Sequence, residues 1–139
     1  MHVLPYSDYL IDLYGNVLVT SADLTKHNPD LARRFATALM QGLRYAVDHP
    51  EEAGDILHRH QPTTDAAPAA AELELMRPYV VPGQPAAAGA FDPSRVARSV
   101  ATMQAAALIP AFVDPRTFVD FTILPGATQP TITKAEVAR

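Results

Sequence analysis

The chain has 139 residues, 48% of them apolar, enough for a core, but alanine supplies much of that share and buries little area per residue. Eleven Lys and Arg against fifteen Asp and Glu leave a net charge of −4 with no basic cluster, so nucleic acid is excluded as an expected partner. The chain has no cysteine, which excludes disulfide and thiolate chemistry, and no run approaches the roughly 20 apolar residues of a membrane span.

In chain order, Tyr6, Tyr9, Leu10, Leu13 and Tyr14 can line one side of irregular or partly helical backbone after Pro5. Tyr14-Gly15-Asn16 reads as a turn, since Gly and Asn tolerate positive φ. Val17-Leu18-Val19-Thr20 is the best strand candidate, a short apolar run that wants cover on both faces. Ser21 can cap a short helix over Ala22–His27, with Asp23 in its first turn. Asn28 can cap a longer helix, and Pro29 suits its first position. Leu31, Phe35, Leu39 and Leu43 then step by fours as one apolar stripe, with Ala32, Ala36 and Ala46 beside it. His49-Pro50 stops that pattern, because a residue before proline is pushed out of the α region. Asp48 or His49 can cap the next helix, whose positive end carries Glu51 and Glu52 and whose apolar side carries Ala53, Ile56 and Leu57.

Gln61-Pro62-Thr63-Thr64 reads as a loop, with Thr63 or Thr64 capping a helix through Ala69–Arg77 that Pro78 ends. Residues 80–91 are rich in Pro, Gly and Ala and read as a linker. Asp92-Pro93 repeats the cap-then-proline start, and this helix is expected to run to about Ile109, before Pro110. Asp114-Pro115 opens a last short turn with Phe118, Val119 and Phe121 as its apolar members. Residues 125–139 lack periodicity and read as a disordered tail, leaving 1–124 as the folded segment. Four or five helices thus accompany one strand, and a lone strand cannot satisfy its own backbone groups.

Signals for catalysis are weak. His58 and His60 do not share a helix face, and no third ligand has suitable spacing, so no metal site is expected. Glu51-Glu52 and Glu72-x-Glu74 serve helix dipoles rather than acid–base pairing. Neither a nucleophile elbow nor a phosphate-binding glycine loop is present. Tyr6, Tyr9 and Tyr14 with Asn16 form the most suggestive ligand constellation, because tyrosine offers a flat face with a polar tip and asparagine both donates and accepts. Packing of these tyrosines within their own domain is the competing explanation.

The run Y-G-N-V-L-V-T-S-A-D-L-T-K-H-N-P-D-L-A-R-R-F, continuing through His49-Pro50-Glu51-Glu52-Ala53 to Leu57, resembles the ABC-transporter substrate-binding proteins of the nitrate/sulfonate/taurine and thiamine-pyrimidine type. Phe91-Asp92-Pro93, Phe112-Val113-Asp114 and Phe118 look like that family's C-terminal helices, so the resemblance covers about residues 4–124. It implies an α/β fragment, mainly helical, with one strand and four to five helices. Such a fragment would be the C-terminal part of a two-lobed, type II periplasmic-binding-protein-like fold, truncated relative to family members.

The function the resemblance implies is binding of a small organic solute, such as a thiamine pyrimidine precursor, a sulfonate or an amine, for an ABC permease. No catalytic residue and no cofactor is expected. Tyr14, Gly15 and Asn16, with Tyr6, are the expected solute-binding residues, near an interlobe cleft. The resemblance implies a periplasmic or cell-surface location. The N-terminus, MHVLPYSDYL, has no basic segment followed by an apolar one, so the chain as written is expected in the cytoplasm. Apolar faces meant for absent strands are expected to favour self-association. The alternative is a small α-helical interaction module that packs on a partner.

Overall fold

The computed structural model describes Tyr9 and residues 12–81, 89–110 and 113–124. These residues form five helices and one short 3₁₀ turn: α1 (Ala22–His27), α2 (Pro29–Asp48), α3 (Pro50–His60), α4 (Ala66–Val80), α5 (Pro93–Ala105) and the turn Pro115–Thr117. They divide into two compact units. One holds the described part of Met1–Val19 and Ala90–Ile123; the other holds the described part of Thr20–Gly89, with Leu124. The tail expected over 125–139 lies outside the described residues.

The helix starts follow the cap chemistry only in part. The Ser21 and Asp92 side chains accept from the first turns of α1 and α5, at Leu24 N and Arg95 N. Asn28 and His49 occupy the caps of α2 and α3 without a side-chain hydrogen bond. Both work through the backbone instead. The Asn28 N–H closes α1 on Leu24 O at 2.8 Å while its carbonyl accepts from Leu31 and Ala32. His49 likewise closes α2 on Tyr45 O at 2.9 Å and accepts from Ala53 N at 3.0 Å.

In the helical unit α3 packs on α4, and α2 contacts α1, α3 and α4. Its buried apolar residues are small: Ala32, Ala36, Val47, Ala69 and Ala70. Gly54 on α3 sits against the start of α4, where a Cβ would strike the Ala66 carbonyl oxygen and lie 3.3 Å from Ala70 N. Close backbone approach therefore replaces interdigitated large side chains. Arg77 of α4 adds a polar tie, donating to Val47 O at 2.8 Å and pairing with Asp48 at 2.7 Å. Val47 O is one of the carbonyls that the end of α2 leaves without a helical partner. At the α2–α3 corner the Tyr45 hydroxyl donates to Glu52 at 2.8 Å.

Four expectations are corrected. Tyr14-Gly15-Asn16 is not a hydrogen-bonded turn: the backbone only bends at Asn16, and neither Gly15 nor Asn16 takes positive φ. Val17–Thr20 is not a strand; among the described residues no strand forms, and Val19 is 80% exposed. A single apolar run has no neighbouring backbone to exchange ladder hydrogen bonds with. The helix placed at Ala69–Arg77 begins at Ala66, with Asp65 rather than Thr63 or Thr64 at the cap position and no side-chain capping bond, and passes through Pro78 to Val80. Pro78 falls in the last turn, where Arg77 is already anchored to α2 and Val81 N closes on Arg77 O at 2.9 Å. Finally, α5 stops at Ala105 rather than near Ile109. Leu108 N reaches Met103 O and Ala107 N reaches Gln104 O, both at 2.9 Å, with Ala107 at φ 56°. This is the paired closure that ends a helix through one left-handed residue.

The apolar stripe of α2 is also divided differently. Ala32, Ala36 and Val47 are buried and Met40 and Leu43 half-buried, whereas Leu31, Phe35 and Leu39 are exposed, Phe35 by 59%.

Candidate functional site

Tyr14 lies in the other unit, whose core is Val96 and Val100 of α5 with Phe121, ringed by Tyr14, Phe91, Ile109, Val113 and Val119. Val96 and Val100 follow from helical spacing, one apolar residue per turn. The Tyr14 ring meets the Phe91 ring edge-on, with centroids 5.0 Å apart and planes at 75°. Its hydroxyl accepts from Asp92 N at 2.9 Å and donates to Asp92 O at 3.4 Å. The Arg95 guanidinium lies over the ring, 4.2 Å from its centroid. Burial raises the Tyr14 phenol above its ordinary 10.0, outweighing the lowering by the Asp92 backbone bond and the nearby arginines.

The residues just before Tyr14 are tied to α5 by polar side chains one turn apart. Arg95 Nε donates to Asp12 O at 3.2 Å and Nη2 to Leu13 O at 2.7 Å. The Ser99 hydroxyl donates to the same Asp12 carbonyl. Arg98 pairs with the Asp12 carboxylate at 2.9 Å. That hydrogen bond is the main reason the Asp12 carboxyl sits below its ordinary 3.8 and the Arg98 guanidinium above its ordinary value. Positions 95, 98 and 99 share a helix face, so one strip of α5 grips the segment.

Of the residues expected to bind solute, Tyr14, Gly15 and Asn16 are consecutive, and Tyr6 lies outside the described residues. Tyr14 is half-buried and committed to its own unit, whereas Gly15 and Asn16 are exposed. Among the described residues nothing lies within 4 Å of where a Gly15 Cβ would be. Among the described residues the Asn16 side chain meets no hydrogen-bond partner, and its exposed amide can both donate and accept. Tyr9 is exposed and outside this cluster.

The sequence did not single out Asp12, Arg95, Arg98 or Ser99. A helix face carrying two arginines and a serine beside a valine seam was the available signal. Among the described residues no group of His, Asp and Glu could hold a metal ion. His58 instead contacts Thr64 O through Nδ1 at 2.8 Å. No described helix is long and apolar enough to cross a membrane.

Residues 1–53 match the family described as NMT1/THI5 like. That similarity supports a substrate-binding family at a coarse level and spans 53 of the 139 residues. The mainly helical architecture is compatible with a fragment of a binding-protein fold. No curated protein and no solved structure matches the chain.

Proposed function

We propose that the chain belongs to the solute-binding component of an ABC importer, with Tyr14, Gly15 and Asn16 presented to a small polar organic solute. The observation that carries this reading is the contrast within three consecutive residues. Tyr14 is braced from several sides, and the two residues after it are left open. A polar amide on a fixed support is what orientation of a hydrogen-bonding ligand requires. The NMT1/THI5-like similarity over residues 1–53 includes this segment and points to solute binding rather than catalysis. A thiamine pyrimidine precursor, a sulfonate and an amine are the solute classes to test, with an ABC permease as the downstream partner and the periplasm or cell surface as the location.

Isothermal titration of the chain with 4-amino-5-hydroxymethyl-2-methylpyrimidine, taurine and putrescine tests the reading. Binding of one of them, lost in Asn16→Ala without loss of folding, is the expected result. Absence of binding to all three, or equal binding by the variant, overturns it.

The second reading, a helical interaction module, is favoured by one observation: the exposed row Leu31, Phe35 and Leu39 along α2.

A further inference from the structure

The grip of α5 on the segment before Tyr14 is not shared equally among its side chains. Among the described residues the Ser99 and Arg98 side chains each bond to this segment at Asp12, one at its carbonyl and one at its carboxylate. Arg95 alone reaches three consecutive residues: the carbonyls of Asp12 and Leu13 and the ring of Tyr14. Guanidinium geometry makes this a strong orientational constraint. Nε and Nη2 lie on one edge of a rigid plane, so two successive carbonyls on that edge have their relative orientation fixed. The same guanidinium carbon lies over the Tyr14 ring, 4.2 Å from its centroid, so the ring is held near those peptides too.

We infer that Arg95 is a positioning residue, whose fork on the Asp12 and Leu13 carbonyls sets the backbone path that offers Gly15 and Asn16 to solute. The binding consequence rests on the proposed role of Tyr14–Asn16; the conformational consequence rests on the geometry around α5 alone. Lysine at this position keeps the charge and an attraction to the ring but cannot bridge two carbonyls in a fixed plane. Arg95→Lys therefore separates geometry from charge. Arg95 is only half-buried, and the neighbouring core residues Val96 and Val100 are untouched by the change.

The test compares the full chain as wild type, Arg95→Lys, Arg95→Ala and Ser99→Ala. Amide ¹⁵N relaxation at residues 13–16 and the Tyr14 ring resonances report the segment's order, thermal melting reports folding, and titration with the three probes named above reports binding. Both Arg95 variants are expected to lower amide order at 13–16 and shift the Tyr14 ring. Affinity for whichever probe the wild type binds should fall about tenfold, with melting moved by no more than about 4 °C. Ser99→Ala should retain most of the order. Wild-type order and ring shifts in Arg95→Lys overturn the inference, as does loosening in which affinity is unchanged. Loss of melting temperature with unchanged affinity also overturns it, because that marks a purely structural contact. If the wild type binds none of the probes, the solute reading fails by itself, and the relaxation data still decide whether Arg95 sets the backbone path.

Discussion

The Tyr14 hydroxyl and the Asp92 backbone meet twice, the N–H of Asp92 donating to Oη at 2.9 Å and Oη donating to the Asp92 carbonyl at 3.4 Å. Both bonds fall where α5 begins, so they fix the tyrosine to the helix start. Tyr14→Phe keeps the ring against Phe91 and Arg95 but removes both bonds. It should lower stability by about 1 kcal/mol, read from urea unfolding.

The same residue sets an alkaline limit. Its folded-state pKa is raised above 10.0, so the folded protein holds this proton more tightly than the unfolded chain. The associated stability is fully present below the unfolded pKa and is lost as pH rises through the raised value. Unfolding midpoints of the wild type should decline from about pH 10 upward, and Tyr14→Phe should flatten that decline. Equal alkaline slopes in the two proteins would show that the hydroxyl titrates freely.

Asp12 sets the opposite limit. Arg98 lowers its carboxyl below 3.8, so the stabilisation is complete above the unfolded pKa and is lost as pH falls through the lowered value. Asp12→Asn should be less stable than the wild type near neutrality, and the difference should shrink as pH falls below about 4. Urea midpoints measured from neutral to acid pH check this, and a constant difference would contradict it.

Ala107 ends α5 with φ 56°, a left-handed conformation that a Cβ disfavours. Ala107→Gly removes the strain and leaves the two closing backbone bonds in place, so it should stabilise the fold by about 1 kcal/mol. Ala107→Val, β-branched, should destabilise it. A glycine variant less stable than the wild type in chemical denaturation would refute the account.

Phe35 is exposed on α2 in line with Leu31 and Leu39. Phe35→Gln should change stability by no more than about 0.5 kcal/mol. If this row drives self-association, sedimentation velocity should show a lower associated fraction in the variant. Equal sedimentation of variant and wild type would remove this row as the contact.

The starts of the helices were legible wherever a capping residue meets proline, at Asn28-Pro29, Asp92-Pro93 and Asp114-Pro115. Such signals are local and need no knowledge of neighbours. The end of α4 was not legible, because Arg77 holds its last turn to α2 from 30 residues away. The burial pattern of α2 was half legible. Residues four apart drift around a helix, and which side of the drift is covered depends on what packs there. Tyr14 and Asn16 stood out by residue type, but their support did not, since Arg95 lies more than 80 residues from the carbonyls it binds. Val17–Thr20 has the composition of a strand, and composition cannot supply a second strand.

Gly54 facing Ala66 and Ala70 gives the α3–α4 contact an unusual pattern of mutational sensitivity. Gly54→Ala should cost about 1–3 kcal/mol, because backbone must shift to admit one methyl group. Alanine scanning, designed to find contacts by truncation, passes silently over Ala66, Ala69 and Ala70, which are alanine already. Only a scan that enlarges side chains would locate where this helix pair is held together.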